Sequence, residues 1–460
     1  MEPELSEHFK TRKPSGIRLA QIEFAKREDG CMDLNVAIGN VSLPMHPKMI
    51  ERMKKLAGKD SPFEAGIVKY TPTVGTKEAN DAALNIIASS GFSTDGLYSQ
   101  ILDGGSQAME LVIVGTCGPA GSEEKPLLLI DPAYTNYNAF AKRVGRKTVS
   151  VGRKLEEDGS FSLPNNEEME RVIKKHKPAA LVVIPYDNPT GQLFSQEQMI
   201  ALAKICVKHN MWIISDEAYR ELNYAGKDTL SIWGLTNKQV PGIEGRRISI
   251  ETTSKVWNAC GLRIGAIVTD NKEFHEKSVA EYTANLCANA IGQYIFGALA
   301  HESHADLKKW YGAQRTHYKK TIIEISEELK HLLPGIIVSR PDASIYSVID
   351  VRNIAKKGFD ATKFVMWCAQ KGKVKIDGKD MTLLVSPMEG FYECANNATN
   401  PGKTQMRIAY VLENEKMRVV PQLFCKLFKQ YCGQDSSTCM CDEVCQIKVK
   451  KKVEEAYSEG

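Results

Sequence analysis

Short apolar runs alternate with longer segments of helical periodicity from about residue 98 onward. The apolar runs have the length and composition of buried strands. They are PLLLID ending at Asp131, AALVVIP ending at Pro185, MWIIS ending at Ser215 and RRISIE ending at Glu251. Helical segments lie between the first three runs, near 135–144, 165–176 and 195–209. This alternation predicts an α/β domain with a mainly parallel sheet, whose strand C-termini share the edge where ligands usually bind.

The rest of the chain, outside this α/β region, predicts a second, smaller domain. A chain of 460 residues is too long to form one compact hydrophobic core. Helical periodicity covers 46–57, 76–90 and 272–333. Later strands near 345–351, 382–385 and 405–411 mix with helices near 360–371 and 414–431, as in an α+β domain. We predict four parts: an N-terminal segment (1–45) that joins the small domain, a large ligand-binding domain (46–325), a small C-terminal domain (326–431) and a poorly ordered tail (432–460).

Charge and hydropathy narrow the class of protein. The 60 Lys and Arg residues against 56 Asp and Glu give a net charge of +4, and the basic residues are scattered, which does not indicate nucleic-acid binding. The polar N-terminus lacks the apolar core of a signal peptide, and no apolar run approaches the length of a membrane span. We expect a soluble, cytoplasmic protein that binds neither nucleic acid nor membranes.

Polar side chains follow two of the predicted strands. Asp216 stands just past MWIIS with Tyr219 three residues on, and Asn188 opens NPTG after AALVVIP. Asp216 could pair with a protonated ring nitrogen or simply cap a helix. NPTG could equally be an ordinary turn. Both stretches nevertheless leave a polar group at the ligand-binding edge of the same sheet.

Two further stretches suggest a phosphorylated ligand. The sequence ILDGGSQAMEL places Ser106 and Gln107 at the start of a helix, where free backbone N–H groups attract phosphate. The sequence ETTSKVWNACGLRIG holds Thr252, Ser254 and Lys255, with Arg263 eight residues after the lysine. Alone, Gly-Gly-Ser is also a common loop.

Taken together, these stretches predict a site for pyridoxal 5′-phosphate (PLP), an electron sink for carbanions. Lys255 can form a Schiff base with an aldehyde cofactor, and Asp216 can keep its pyridine nitrogen protonated. Thr252, Ser254 and Arg263 can hold its phosphate. No spacing of Cys and His predicts a metal site.

The chain resembles the fold-type I PLP-dependent aminotransferases of classes I and II, from about residue 17 to 431. The motifs that carry the resemblance occur in the family's order: YTPTVG, GGSQAMEL, DPAY, NPTG, SDEAY, TTSK, GLRIG and MRIAYVLENEKM. The resemblance implies a mainly parallel seven-stranded sheet flanked by helices, a smaller α+β domain and ping-pong transfer of an amino group from an L-amino acid to a 2-oxo acid such as 2-oxoglutarate.

The resemblance also implies residue roles. Catalysis is assigned to Lys255, Asp216 and Tyr219. Cofactor binding is assigned to Tyr70, Ser106, Gln107, Tyr134, Asn188, Asp216, Tyr219, Thr252, Ser254, Lys255 and Arg263. Substrate binding is assigned to Gly39, Asn188 and Arg407, whose guanidinium would grip the α-carboxylate. Tyr134 would stack on the ring, and Tyr70 would reach the phosphate of the neighbouring subunit, which makes the active unit a homodimer.

Other functions stay open on the same motifs. A C–S β-lyase or a cyclopropane-forming synthase would keep Lys255, Asp216 and Arg407, and a non-catalytic relative would keep the fold. Substrate choice is also open, because no arginine occurs between Arg263 and Arg315, and Ser106 stands where some relatives have a lysine. Aspartate, bound through Arg18 or Lys69, and aromatic or neutral amino acids are all compatible with the sequence.

Five of the twelve cysteines crowd the end of the chain. They are Cys425, Cys432, Cys439, Cys441 and Cys445. Their spacing matches no established zinc pattern, although a loose metal or redox site is an alternative. We predict an unstructured extension that contributes nothing to turnover.

Overall fold

The computed structural model describes residues 3–12, 14–121, 125–226, 228–393 and 399–433. Its α-helices are α1 (Glu7–Lys10), α2 (Gly16–Phe24), α3 (Pro47–Lys54), α4 (Lys77–Ser89), α5 (Gly104–Cys117), α6 (Asn136–Arg143), α7 (Asn166–His176), α8 (Gln196–Lys208), α9 (Lys272–Tyr282), α10 (Ala290–Gly297), α11 (His304–Leu332), α12 (Ala361–Gln370) and α13 (Asn414–Cys432). Its strands are β1 (Met32–Asn35), β2 (Tyr98–Leu102), β3 (Leu127–Asp131), β4 (Thr148–Gly152), β5 (Ala180–Val183), β6 (Trp212–Asp216), β7 (Arg247–Thr252), β8 (Gly265–Thr269), β9 (Ile337–Val338), β10 (Tyr346–Asp350), β11 (Val374–Ile376), β12 (Lys379–Leu384), β13 (Ser386–Pro387) and β14 (Gln405–Ala409).

A seven-stranded sheet forms the centre of the molecule, with the strand order β2-β8-β7-β6-β5-β3-β4. Strands β3 to β7 pair in parallel, and β8 runs antiparallel to both of its neighbours. Every residue of β3, β5 and β8 is buried. Continuous apolar runs suit strands that are covered on both faces. The predicted fold class, a mainly parallel α/β sheet with a smaller α+β part, is confirmed.

The sheet brings the predicted polar residues to one edge. Asp131 ends β3, Asp216 ends β6 and Thr252 ends β7, and these three strands run in the same direction. Strand β2, which is antiparallel to β8 and therefore parallel to β7, leads at the same edge into α5. The carboxyl ends of parallel strands thus define the position of the site.

Two smaller sheets join the ends of the chain. Strand β1 pairs in parallel with β12, with Met32 opposite Met381, so residues from the N-terminal segment lie among the C-terminal elements. Strands β13, β14, β10 and β9 form a four-stranded antiparallel sheet, in which Arg407 lies opposite Val348. The 29-residue helix α11 packs against both α4 and α13, and it runs through the domain boundary that we predict at residue 325.

Within the described part of the chain, no helix combines the length and the apolar character needed to cross a bilayer. In that same part, no cluster of three or more His, Cys, Asp or Glu side chains is arranged to hold a metal ion. Cys425 is buried in α13, and Cys432 ends that helix partly exposed. The predicted tail spans 432–460: Cys432 ends α13 and Gly433 caps it, whereas residues 434–460, including the last three cysteines, lie outside the described residues.

Candidate active site

Lys255 lies three residues beyond the end of β7, in the bend that leads towards Arg263. Its Nζ donates a hydrogen bond to the carbonyl oxygen of Gly39 at 2.5 Å. A Cβ on residue 39 would lie 3.0 Å from that Nζ and would collide with the hydroxyl of Tyr346. Glycine is therefore required at position 39 for the amine and the phenol to approach the same backbone.

The N-terminus of α5 forms one wall of the site with the loop after β7. Asp103 precedes the helix without a side-chain cap, and a Cβ on Gly104 would lie 2.5 Å from Nη2 of Arg263. The hydroxyls of Thr252 and Ser254 are 2.8 Å apart. An uncapped helix start beside hydroxyls and a guanidinium has the chemistry of a phosphate cradle.

Ser106 and Gln107 both lie in the first turn of α5, as the sequence predicts. The side-chain oxygen of Gln107 accepts hydrogen bonds from the backbone of Asp103 at 2.9 Å and from the hydroxyl of Tyr282 at 2.8 Å. That oxygen therefore stabilises the turn, and the backbone N–H groups of this first turn are the donors suited to an anion.

Asp216 is held at the end of β6 by two donors. The hydroxyl of Tyr137 donates to its Oδ2 at 2.6 Å, and the backbone N–H of Ala218 donates to its Oδ1 at 3.2 Å. The carboxylate keeps some accessible surface, but burial among protein atoms raises its pKa. The charge of Lys255 lowers that pKa in part, and a cationic ring nitrogen beside the carboxylate would stabilise its charge further.

Tyr134 lies at the start of α6, after β3, where the sequence places it. Its hydroxyl accepts a hydrogen bond from the Asn136 side chain at 2.8 Å, and its ring meets that of Tyr137 edge to face, with centroids 5.4 Å apart. Burial raises its pKa to about 12, so the phenol stays neutral at physiological pH. A fixed, neutral ring is suited to stacking on an aromatic ligand.

Asn188 connects the seven-stranded sheet with the antiparallel one. Its Oδ1 accepts from Nη1 of Arg407 at 2.8 Å, and its Nδ2 donates to the hydroxyl of Tyr219 at 3.1 Å. That hydroxyl donates in turn to Tyr346 at 3.3 Å. Burial raises the pKa of Tyr219 well above its ordinary value, so this phenol is a hydrogen-bond donor at neutral pH.

Arg407 is a buried cation, with 4% of its surface exposed. Its Nη2 donates to the carbonyl of Ala37 at 2.7 Å, and its guanidinium lies over the ring of Tyr346, 4.2 Å from the centroid. Within the described part of the chain, Arg407 has no carboxylate partner and its Nε has no hydrogen-bond partner. A buried guanidinium that lacks a carboxylate partner is suited to binding the carboxylate of a ligand.

Tyr70 differs from the other predicted residues, because 78% of its surface is exposed. It lines an open cleft of about 900 Å³ together with Val68, Lys69, Asp103 and Arg263. The structure thus places Tyr70 near the phosphate cradle but outside the buried network.

Sequence reasoning missed two residues of this site. Tyr346 begins β10 and contacts the groups around Lys255 and Arg407, yet it belongs to none of the motifs. Burial raises its pKa, whereas the Lys255 and Arg407 cations lower it, and the net shift is downward. Tyr137 could have been found, since it follows Tyr134 by three residues in the same stretch, DPAYTNY.

Comparisons with known proteins identify the family of this chain. The model of the aminotransferase class I and II family matches residues 32–385. The aspartate aminotransferase of Sulfolobus acidocaldarius is 27% identical over 360 residues, which cover 77% of this chain and 83% of that protein. The aspartate aminotransferase of Sulfurisphaera tokodaii is 26% identical over 398 residues, with 85% and 89% covered.

Solved structures show the same fold. The kynurenine aminotransferase of Pyrococcus horikoshii, in complex with PMP, has a TM-score of 0.73 at 19% identity and covers 93% of this chain and 97% of its own. The aspartate aminotransferase of Thermus thermophilus with maleate has a TM-score of 0.73 at 21% identity and covers 93% and 100%.

The fold and the family match define the class of this protein. It has the fold of the type I PLP-dependent enzymes, and it belongs to the aminotransferase class I and II family. It is a transaminase, and members of this family use PLP.

Proposed function

We propose that this chain binds PLP at the described site and transfers amino groups between L-amino acids and 2-oxo acids. The N-terminus of α5, Thr252, Ser254 and Arg263 would hold the phosphate. Asp216 would hold the ring nitrogen, and Asn188 and Tyr219 would hydrogen-bond to the phenolic oxygen. The residues fit the group because the carboxylate of Asp216 is held by neutral donors, and the N-terminus of α5, which has no side-chain cap, lies beside Thr252 and Arg263.

Bound PLP supplies an electron sink for the carbanion formed at the substrate α-carbon. The chain supplies the proton transfer: Nζ of Lys255 takes the α-proton and later returns it. Asp216 keeps the ring nitrogen protonated, because a neighbouring anion favours the charged form of a base.

The observation that carries the proposal is the buried Arg407 without an anionic partner in the described residues. The planar fork of its guanidinium matches a carboxylate, and lysine cannot reproduce that geometry. Every α-amino acid and every 2-oxo acid carries such a carboxylate. The same residue therefore serves both half-reactions, as a ping-pong mechanism requires.

Replacing Arg407 with alanine should impair donors and acceptors together, whatever their side chains. The loss of a buried charged partner costs about 2–5 kcal/mol, or about 30- to 5,000-fold in kcat/KM. Single-turnover kinetics of each half-reaction, with several amino acids and 2-oxo acids, measures this loss. Arg407→Lys should recover only part of the activity.

The cofactor spectrum should survive in Arg407→Ala, because none of the contacts of Arg407 involves the phosphate cradle. Arg418→Ala, a replacement of an exposed arginine on α13, is the matched control and should behave as wild type. A loss confined to acidic substrates would place Arg407 at a distal carboxylate and contradict the proposal.

The preferred donor is aspartate or an aromatic or neutral amino acid. The names of the aspartate aminotransferase relatives support a dicarboxylic donor. Of the two cations considered for a distal carboxylate, Arg18 is exposed and donates to Gln21 at 3.0 Å, whereas Lys69 lines the cleft that contains Arg263. We therefore favour Lys69 as the cation for a distal carboxylate.

A panel of amino-acid donors with 2-oxoglutarate as acceptor identifies the substrate. Release of pyruvate without stoichiometric nitrogen transfer would indicate a C–S β-lyase instead.

We also propose that the active unit is a homodimer, with Tyr70 reaching the phosphate of the neighbouring subunit. The exposure of Tyr70 supports this, since an aromatic side chain 78% exposed is suited to burial against a second chain. Ile67, Val68 and Leu286 are also more than half exposed. Tyr70 also lines a cleft with Arg263 of its own chain. The competing arrangement is therefore that Tyr70 contacts the phosphate bound in its own subunit.

Mixing Lys255→Ala subunits with Tyr70→Ala subunits should restore part of the activity. Each heterodimer would contain one site in which both residues are intact. Activity is measured before and after subunit exchange, with exchange verified by differently tagged chains. Verified exchange with no recovery would show that Tyr70 acts within its own subunit.

A further inference from the structure

A buried ion pair lies directly beside the residue that contacts Arg407. Arg153 follows β4, and Asp187 immediately precedes Asn188. Nη2 of Arg153 donates to Oδ2 of Asp187 at 2.8 Å, and the two side chains are 3% and 5% exposed. None of the motifs assigned to cofactor or substrate binding includes either residue.

Arg153 is fixed from several directions. Its guanidinium lies 5.8 Å from the ring centroid of Phe161 and 5.5 Å from that of Phe194. Its Nη2 also lies 3.4 Å from the carbonyl oxygen of Pro132, two residues before Tyr134. One cation thus joins the loop after β3 to the loop after β5.

Asp187 is equally constrained. It accepts a hydrogen bond from the hydroxyl of Thr190, and its backbone N–H donates to the carbonyl of Gln192 at 2.8 Å. Hydrogen bonds between Asp187, before Asn188, and both Thr190 and Gln192, after it, therefore fix the turn that carries Asn188. A buried ion pair adds little net stability compared with apolar side chains of the same volume, but its hydrogen-bond geometry is specific.

We propose that Arg153 is a positioning residue for substrate binding: through Asp187 it fixes the amide of Asn188, which in turn orients the guanidinium of Arg407. The inference rests on the proposed function, in which Arg407 binds the carboxylate of both substrates. The amide of Asn188 contacts Arg407 through its oxygen and Tyr219 through its nitrogen. A rotation of that amide would therefore disturb both contacts.

Arg153→Met tests the proposal in the holoenzyme, since methionine removes the charge and keeps much of the volume. We expect KM for the amino acid and for the 2-oxo acid to rise together by about ten- to a hundredfold, as for a small misplacement of a binding group. The change in kcat should be much smaller, because the carboxylate contact is present in both ground and transition states. Steady-state kinetics with both substrates varied measures the split, and visible absorbance verifies that the cofactor is retained.

Arg247→Met is the matched control. Arg247 is a partly buried arginine whose side chain is 12% exposed, with Nη2 2.7 Å from Oδ2 of Asp270 and its guanidinium over the ring of Trp233. It begins β7, at the opposite end from Thr252. This variant should lose thermal stability to a similar extent as Arg153→Met while keeping both wild-type KM values.

Asp187→Asn is the second variant, for the case in which Arg153→Met does not fold. Asparagine keeps an acceptor for Thr190 and Arg153 but loses the charge, so KM should rise for both substrates by a smaller factor. Wild-type KM values in either folded variant would overturn the proposal, as would equal KM changes in Arg247→Met. Failure of the proposed function is distinguishable, because wild type itself would then transfer no nitrogen between amino acids and 2-oxo acids.

Discussion

Lys255→Ala should abolish transamination, with kcat falling by at least about ten-thousandfold, the upper range for a general acid–base residue. Lys255 lies in the loop that follows β7, and its Nζ donates to the carbonyl oxygen of Gly39, close to the hydroxyl of Tyr346. Alanine would remove the one group that is proposed both to bind the cofactor covalently and to act as the base for the α-proton. Single-turnover kinetics with PLP and an amino acid measures the loss.

The visible absorbance from the covalent link should disappear in Lys255→Ala, whereas PLP should still be retained through the phosphate cradle. Equilibrium dialysis against PLP separates the two effects. Lys277→Ala, a replacement on helix α9, controls for the loss of a positive charge outside the site. Wild-type turnover in Lys255→Ala would contradict the assignment of the whole site.

Asp216→Ala should lower kcat by about a hundred- to a thousandfold, as does removal of one preorganised charge-stabilising group in other enzymes. Without this carboxylate the ring nitrogen would lose the anion that keeps it protonated, and the carbanion would lose its sink. KM should change less than kcat, because the effect belongs to the transition state. Pre-steady-state kinetics of the amino-acid half-reaction is the appropriate measurement.

Asp216→Asn separates the effect of the negative charge of this side chain from the effect of its shape. Asparagine keeps the size of the side chain but carries no charge, and its single amide oxygen can accept from only one of the two donors, Tyr137 and Ala218, which bind different oxygens of the native carboxylate. It should therefore be about as impaired as alanine, whereas Asp216→Glu should retain more activity. If Asn and wild type turn over alike, Asp216 acts only as a structural hydrogen-bond acceptor.

The parts of the fold that could be predicted from the sequence are continuous runs of apolar residues, which form strands, and segments of helical periodicity. Strands β3, β5, β6 and β7 are apolar runs within the parallel sheet, and the helices between them have clear periodicity. Strands β2 and β4 were not predicted, because they form the two ends of the sheet order and carry more polar residues. Strand β8 is likewise not among the predicted strands, and its antiparallel direction cannot be inferred from periodicity.

The site was predictable to the extent that its residues follow strands. Asp216 and Thr252 end strands, and Ser106 follows one closely, so each belongs to a local pattern with a chemical reason. Tyr346 had no such pattern: its position depends on how β10 packs against the loop that carries Lys255. The Arg153–Asp187 pair joins residues that only the folded chain brings together.

The pairing of β1 with β12 affects the order in which the molecule is assembled. Residue 32 finds its strand partner only when residue 381 has been synthesised, and Ala37 meets Arg407 later still. The segments that form the phosphate cradle, from 104 to 265, leave the ribosome long before that. Contacts between residues this far apart in sequence form late, and strands that wait for a partner expose unpaired edges. A nascent chain that stops before β12 would therefore contain the proposed phosphate cradle without Arg407, the proposed carboxylate-binding residue, and its unpaired β1 would be a target for chaperones.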